Sequence, residues 1–498
     1  MHCHTDRCWL PGGNPVTLTS SVPPSSVPPS SPPTPPVPSN EQVYRQPTRR
    51  GTELMLLIGA ISVAALGYVQ VDLAVLGHVA NDTVPVLAAC AAILLVAHLA
   101  IRILAPYADV VIFPVAATLN LLGLTMIHRL DLADAQRAVR NGSAPPTPDV
   151  YAQLTWTALG VGLLVAVLLV VRDHRRLQRY TYTAMFVGLS LLLLPLVPGI
   201  GATINGATLW IRVAGYSFQP GELAKIMLTI FFAGYLVVTR DSLALVRTKF
   251  LGLEIPRGRD LGPLVVAWLV SLAVLVFERD LGTSLLFFGL FVSMLYIATQ
   301  RRSWLVLGFF LFLIGAVLSW FAFGHVRVRV DVWLDPFADA AGRGYQIVQS
   351  LYGLASGGMF GAGLGQGFPQ FVPFAKSDFI ISAFGEEIGL AGLMAMLMLY
   401  AILVERGLRI AVACRDSFGT LLASGLAIVT ALQVFIVAGG VTRLIPLTGL
   451  TTPFLSQGGS SLIANWIAVG LLLRISDTTR RPDLSVSADD ALTQVVRL

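Results

Sequence analysis

Apolar residues in this chain come in long unbroken runs, not in alternation with polar ones. About 20 apolar residues suffice for a helix to cross the hydrocarbon core of a bilayer. By that measure the spans read as 53–72, 85–105, 110–127, 152–171, 181–198, 222–239, 264–278, 283–299, 303–324, 379–404, 418–438 and 461–474, the last being short. A membrane β-barrel would show alternating segments of about ten residues instead. The pattern predicts an all-α polytopic membrane protein of about 12 transmembrane helices.

The polar stretches organise these spans. Residues 1–52 form a Pro/Ser-rich tract including VPPSSVPPSSPPTPPVP. It has too few apolar residues to bury and is expected to be disordered. It lacks the short charged region followed by an apolar run that marks a signal peptide. A second polar tail is expected over 477–498. Basic clusters lie at Arg49/Arg50, Arg172/Arg175/Arg176/Arg179, Arg240/Arg247/Lys249/Arg257/Arg259, Arg301/Arg302, Arg406/Arg409/Arg415 and Arg474/Arg480/Arg481. All fall on the side of the N-terminus, so the positive-inside rule places both tails in the cytoplasm. The segment 128–150, with Arg129, Arg137 and Arg140 balanced by Asp131 and Asp134, reads as an outward loop and fits the rule least well. The outward loop 325–378 is unusually long, a length that often signals function. Three outward segments rich in Gly, Pro and polar residues, 199–221, 325–378 and 439–460, are expected to converge on one cavity, because irregular backbone at membrane depth needs protein or water around it.

Composition agrees with that class. Of 498 residues, 55% are hydrophobic and 12% charged, with a formal net charge of +6; the mean hydropathy is +0.73. A soluble protein carries about 25% charged residues. The cations sit in short loops, so they read as topology signals and not as a nucleic-acid surface. Cys3, Cys8, Cys90 and Cys414 show no metal-binding spacing, though Cys3 and Cys8 neighbour His2 and His4. No P-loop, GxSxG or HExxH occurs, which argues against an ATP-driven pump.

Charges within this apolar chain are the candidate chemistry. The long loop carries Asp331, Asp335 and Asp339 in RVRVDVWLDPFADAAGRGYQIVQS. Asp335 precedes a proline, as turn aspartates do. Asp339 lies just before Gly342-Arg343-Gly344, where an acid can reach a substrate as base or metal ligand, or simply sit in a solvated turn. Asp378, Glu386 and Glu387 open an apolar helix; helix-start electrostatics and a functional pair on one face weigh equally. Glu222 and Lys225, at i and i+3, suit a buried ion pair that either orients a helix or serves a polar cavity. Asp280, in Glu278-Arg279-Asp280 before Gly282-Thr283, is a capping residue or a site residue. Arg443, in GGVTRLIPLTGLTTPFLSQGGSS, is a phosphate clamp or an interfacial anchor.

Four blocks in order carry a resemblance: NGATLWIRVAGYSFQPGELAK (205–225), ERDLGTSLL (278–286), DPFADAAGRGYQIVQS through PFAKSDFIISAFGEEIG (335–389), and RLIPLTGLTTPFLSQGGSS (443–461). Together they are similar to the SEDS glycosyltransferases, the RodA/FtsW family. The similarity covers about 110–476. It divides the chain into the 1–52 tail, two extra N-terminal helices (53–108), a SEDS-like core of about ten helices (109–476) and the 477–498 tail. The two extra helices and the Pro-rich tail resemble the actinobacterial elongation branch more than the division branch. The resemblance implies polymerisation of lipid II outside the cytoplasmic (inner) membrane for cell elongation, release of undecaprenyl diphosphate, and partnership with a class B penicillin-binding protein and other elongation-complex membrane proteins. It makes Asp339 the essential loop aspartate and Glu222/Lys225 the family's QPSExxK pair. Lys225, Arg443, Arg212 and Arg343 become candidates for the leaving diphosphate, with Asp280, Asp378 and Glu386 as further substrate-site acids. A divalent cation (Mg or Mn) on Asp339 is left open; the sequence has no closed metal site that demands one. Three departures stand out: Asp339-Ala340 where the family has Asp-Pro, QPGE for QPSE and SQGGSS for SYGGSS. The first puts the loop turn in doubt, since proline fixes φ. The alternatives from other classes are a lipid II flippase, which would place its charges at mid-depth, and a non-catalytic scaffold.

Overall fold

The computed structural model describes residues 48–481, except 205–206, 214–215, 245–247, 251–252, 256–261, 263–264, 267, 271–272 and 274–279. Most of both expected tails (1–47 and 482–498), the Cys3/Cys8 cluster, Glu278, Arg279 and most of the expected span 264–278 lie outside the described residues. Among the described residues, eleven helices are long and apolar enough to cross a membrane. They include α1 (Arg50–Leu76), α2 (Thr83–Leu104), α3 (Ile112–Arg140), α4 (Asp149–Val170), α5 (Thr181–Leu193, which spans together with flanking 3₁₀ turns over His174–Leu196) and α6 (Gly221–Ala244). The chain continues with α7 (Leu281–Thr299), α8 (Ser303–Ala322), α9 (Gly324–Leu334), α10 (Tyr345–Gly357), α11 (Ile380–Ala413), α12 (Ser417–Val441) and α13 (Gly459–Arg480). The short α9 and α10 are not among the spanning helices. The protein is thus a multi-pass helical membrane protein.

Helices α3, α6, α12 and α13 form the interior, whereas α8 leaves nearly its whole surface outside the protein. Hydrocarbon asks no polar face of such a helix, so its sequence shows no amphipathic stripe. Small residues let the inner helices approach. A Cβ at Gly160 of α4 would lie 2.6 Å from Trp466 Cδ1 of α13. Trp466 is fully buried, packs against Phe113 and Phe454 at centroid distances of 5.9 and 5.3 Å, and donates to Asn120 Oδ1 (3.3 Å).

The structure corrects several sequence expectations. Residues 128–140 are not loop: α3 continues to Arg140. Two of its charges are satisfied inside the protein, Arg129 by Glu387 (2.8 Å) and Asp131 by Lys376 (2.7 Å), while Arg137 and Arg140 are exposed. Two basic residues counted as topology signals are buried staples. Arg50 pairs with Glu53 and donates to the carbonyls of Ala105, Pro106 and Ala108 past the end of α2. Arg474 donates to Leu104 O (3.0 Å) and Leu168 O and pairs with Asp477. The last span is longer than read from the sequence, running to Arg480.

Segments between the helices have structure of their own. Three strands, β1 (Gly201–Ile204), β2 (Ala207–Val213) and β3 (Tyr216–Phe218), form an antiparallel sheet with Arg212 opposite Ser217. Elsewhere β4 (Thr248–Phe250) and β5 (Leu253–Ile255) pair antiparallel. The long loop folds into α9, a 3₁₀ turn at Pro336–Asp339, α10 and a glycine-rich stretch. That stretch pairs with a break in α11. Gly389 there has φ +67°, and the freed groups are met across the gap: Ala362 N–H donates to Glu386 O (2.9 Å), Gly363 N–H to Glu387 O (2.9 Å), and Leu390 N–H to Gly358 O (2.9 Å). This is how irregular backbone persists beside a membrane helix.

Candidate functional site

Asp339 ends the 3₁₀ turn after α9. Asp335 starts that turn, its carboxylate accepting from the N–H groups of Phe337 (3.1 Å) and Ala338 (3.2 Å). The following GRG segment wraps around Asp339. The N–H groups of Gly342 and Gly344 donate to its carbonyl (3.2 and 3.0 Å), and Arg343 N–H donates to Oδ2 (3.0 Å). A Cβ on Gly342 would stand 2.5 Å from the Asp339 carboxylate, and one on Gly344 would run into the Pro336 carbonyl. The turn therefore closes without the family's proline after the aspartate, through glycines that leave room for the acid. Asp339 itself is exposed. Gly344→Ala should displace the turn and cut activity by about 10-fold or more, as loss of positioning does, while the helical bundle melts unchanged. A circular dichroism melt beside an activity assay checks this; wild-type activity would refute the steric argument.

Beneath the loop lies a buried polar chain. Lys225 Nζ donates to Glu222 Oε2 (2.5 Å) and to Gln433 Oε1 (2.9 Å), and Gln433 Nε2 donates to Thr451 O (2.9 Å). Asp280 caps α7, accepting from Thr283 N–H (2.9 Å) and Oγ1 (2.5 Å). Burial raises its carboxyl, opposed by the Thr283 hydrogen bonds and the charge of Arg329. Arg329 of α9 donates to Leu447 O (2.7 Å). A Cβ at Gly449 would be 3.6 Å from Asp378 Oδ2 and 3.9 Å from Arg329 Nη2, and the charge of Arg329 acts on Asp378. Burial pushes the Asp378 carboxyl up to about 7, against Ser377 and Arg329, which lower it.

That shift has a defined sign. The folded protein holds the Asp378 proton up to about pH 7, whereas an unfolded aspartate releases it near pH 4. The stabilisation is complete below the unfolded value and is lost as pH rises through the folded one. Asp378→Asn should flatten the stability profile between about pH 4 and 7, as read by thermal unfolding in detergent. An unaltered profile would remove Asp378 as its source.

Three arginines line a pocket of about 140 Å3 between α9, α10 and the 440–447 segment: Arg329, Arg343 and Arg443. Arg443 has φ +61° and reaches back to α9. Its Nε donates to Trp333 O (2.7 Å), its Nη2 bonds Leu334 O, and Trp333 Nε1 donates to Arg443 O (3.1 Å). The side chain thus caps the carbonyl end of α9, a role different from both sequence readings. Arg212 is exposed on β2.

Glu386 does not share contacts with Asp378, although the eight-residue spacing suggested one face. Asp378 precedes α11, and Glu386 accepts from Phe368 N–H (2.6 Å). Glu387 accepts from Arg129 Nε (2.8 Å) and Gly365 N–H (3.0 Å), while Arg129 Nη2 donates to Gly367 O (2.7 Å). Sequence reasoning missed Arg329 and Gln433. Nothing local distinguishes Arg329 from Arg327 in RVRV; its importance comes from what α9 packs against. Gln433, a lone amide inside an apolar span, was a legible signal. Among the described residues, one group of three potential metal ligands occurs, His174, Cys414 and Asp416, at the opposite end of α11 from Asp378. Asp339 stands in no such group, so a divalent ion on it would rely on one carboxylate and substrate oxygens.

Comparison with known proteins places these features in context. The family model described as cell cycle protein, FTSW_RODA_SPOVE, matches residues 109–481. The peptidoglycan glycosyltransferase RodA of Mycobacterium tuberculosis is 51% identical over 441 residues, covering 88% of this chain and 92% of its own. A probable peptidoglycan glycosyltransferase FtsW of a Geobacter species is 33% identical over 375 residues, covering 75% and 97%. A solved structure described as the structural coordination of polymerization and crosslinking by a peptidoglycan synthase complex superposes with a TM-score of 0.56 at 29% identity, covering 72% of this chain and 98% of that one.

Proposed function

The chain belongs to the FTSW_RODA_SPOVE family of cell cycle proteins, and from that premise we propose that it is a peptidoglycan glycosyltransferase of the elongation type. It polymerises lipid II on the outer side of the cytoplasmic membrane and releases undecaprenyl diphosphate. The higher identity to the RodA relative than to the FtsW relative supports elongation over division. The cytoplasmic placement of both termini rests on the basic loops.

One observation carries the chemistry: an exposed carboxylate, Asp339, is tied through the Arg343 backbone to a pocket lined by three arginines. In the reaction, the acceptor sugar hydroxyl attacks the anomeric carbon of the growing strand. A new glycosidic C–O bond forms, the C–O bond to the diphosphate breaks, and the hydroxyl proton passes to a base. Asp339 is that base. Its Oδ2 is held by Arg343 N–H, and among the described residues no donor occupies Oδ1. Arg329 and Arg343 face the charge that develops on the leaving diphosphate, while Arg443 holds α9, and with it the turn bearing Asp339, in place. The Lys225–Glu222 pair sets the polar floor. A class B penicillin-binding protein is the expected partner, as the described coupling of polymerization and crosslinking in the structural relative supports.

Incubating the purified chain, with and without that partner, with lipid II and separating products on a gel tests the reading. A ladder of glycan polymer is expected. No polymer under either condition, with translocation of lipid II across vesicles instead, would replace it with a flippase.

A further inference from the structure

At the end of α11 far from Asp378, three donors of different chemistry meet. His174 opens the 3₁₀ turn before α5, and Cys414 and Asp416 lie in the loop between α11 and α12. His174 Nε2 is 2.9 Å from Asp416 Oδ1, across 242 residues of sequence, and Cys414 Sγ is 3.3 Å from the same oxygen. The three atoms converge over Gly419, where a Cβ would stand 2.5 Å from Sγ, 2.6 Å from Nε2 and 3.1 Å from Oδ1. A side chain at 419 would fill the space they share. His174 is buried, whereas Cys414 and Asp416 are partly exposed, so the cluster is reachable from water.

Neither packing nor nucleophilic catalysis accounts for this arrangement. A cysteine kept for packing behaves as a small hydrophobe, whereas Cys414 Sγ faces a carboxylate and an imidazole. In a nucleophile-His-Asp triad, the nucleophile and the carboxylate bond opposite nitrogens of the ring. Here both lie on the Nε2 side, and Nδ1 is buried without a hydrogen-bond partner among the described residues.

Metal coordination uses each of these features. Zinc takes thiolate, imidazole and carboxylate ligands at about 2.0–2.3 Å, which sets tetrahedral neighbours roughly 3.3–3.6 Å apart. The 2.9 and 3.3 Å separations reach that range after small side-chain rotations. Two of the ligands are also oriented from behind. Asp416 Oδ2 accepts from Gly419 N–H (2.7 Å) as it caps α12. His174 Nδ1 lies 3.8 Å from Asp173 Oδ1, and a carboxylate behind the imidazole is a recurrent partner in zinc sites. The opposing charge is Arg175, whose Nε is 3.3 Å from Asp416 Oδ1; its side chain is more than half exposed and can withdraw into solvent. A thiolate ligand selects zinc over magnesium or calcium.

We propose that His174, Cys414 and Asp416 bind one zinc ion, with water in the fourth position. The ion clamps the turn before α5 to the loop between α11 and α12, and the thiol proton passes to water on binding. That turn also packs against α6, α12 and α13, so the ion stiffens this end of the bundle. The site is independent of the polymerase reading and of any ion on Asp339.

The test uses the full-length chain in nanodiscs, freed of metal by chelation and kept reduced. Cys3 and Cys8 are replaced by serine in this parent, because the N-terminal tail holds them beside His2 and His4. Cobalt(II) is the probe, since thiolate coordination gives an ultraviolet charge-transfer band and tetrahedral geometry gives intense visible bands. One equivalent should bind with both signatures, and zinc should displace it. Cys414→Ser should abolish the ultraviolet band, and His174→Gln should weaken cobalt binding at least about tenfold. Zinc should raise the melting temperature of the parent and leave that of Cys414→Ser unchanged. Melts in chelator check that each variant folds. A parent chain without the thiolate band, or cobalt binding and zinc stabilisation that survive in Cys414→Ser, would mean an adventitious ion only and overturn the proposal.

Discussion

Asp339→Ala is expected to lower lipid II polymerisation by about 10²–10⁴-fold, the usual contribution of a positioned general base. Asp339→Asn should be as severe, because the amide keeps the shape and the Arg343 contact but cannot take a proton. Both variants should fold. The side chain is exposed and accepts one hydrogen bond from the backbone of its own turn. Carbonyl and amide contacts of Gly342 and Gly344, not the carboxylate alone, close that turn. Initial rates from a glycan gel, with thermal melts of each variant alongside, decide the matter. An active Asp339→Asn enzyme would rule out proton transfer to this residue and send the search for the base to the buried acids, Asp378 first.

Lys225→Ala should give the largest loss of stability. Lys225 and Glu222 are 4% and 6% exposed, and the ammonium also serves Gln433. Removing it leaves a carboxylate and an amide oxygen buried without a donor. Breaking one side of a buried pair costs about 3–5 kcal/mol. Replacing both charges by apolar or amide groups of similar size, Glu222→Gln with Lys225→Met, should recover most of the loss, because no uncompensated charge then remains. Differential scanning fluorimetry in detergent measures both. If the double variant melts no higher than Lys225→Ala, the penalty is one of packing and the ion-pair account fails. The recovered double variant, if it still polymerises poorly, separates a role in catalysis from a role in folding.

The helices were legible because each satisfies its own backbone, and lipid selects for unbroken apolar runs. Length and hydropathy placed the spans over most of the chain. The turn at Asp335-Pro336 was legible too, since Asp-Pro is a local signal, whereas the Asp339-Ala340 departure left the shape of the following turn in doubt. The errors came where a polar residue meets a partner distant in sequence. Arg129 looks like a loop charge until Glu387 is beside it, 258 residues away. Arg50 and Arg474 look like cytoplasmic anchors until the carbonyls of other helices are seen to accept from them. Glu386 shares a helical face with Asp378 only if α11 begins before Asp378, and it begins at Ile380.

The sequence by itself determined the class of the protein, the position of most of its membrane spans and the turn at Asp335-Pro336, because hydropathy, helix length and turn chemistry are properties of neighbouring residues. Only the tertiary structure decided which charges act together. Arg329 brings its charge near Asp280 and Asp378, Arg443 caps α9, and Glu386 and Glu387 hold a loop, because burying a charge is tolerable only where a partner is brought to it, and those partners come from helices that meet in space and not in sequence.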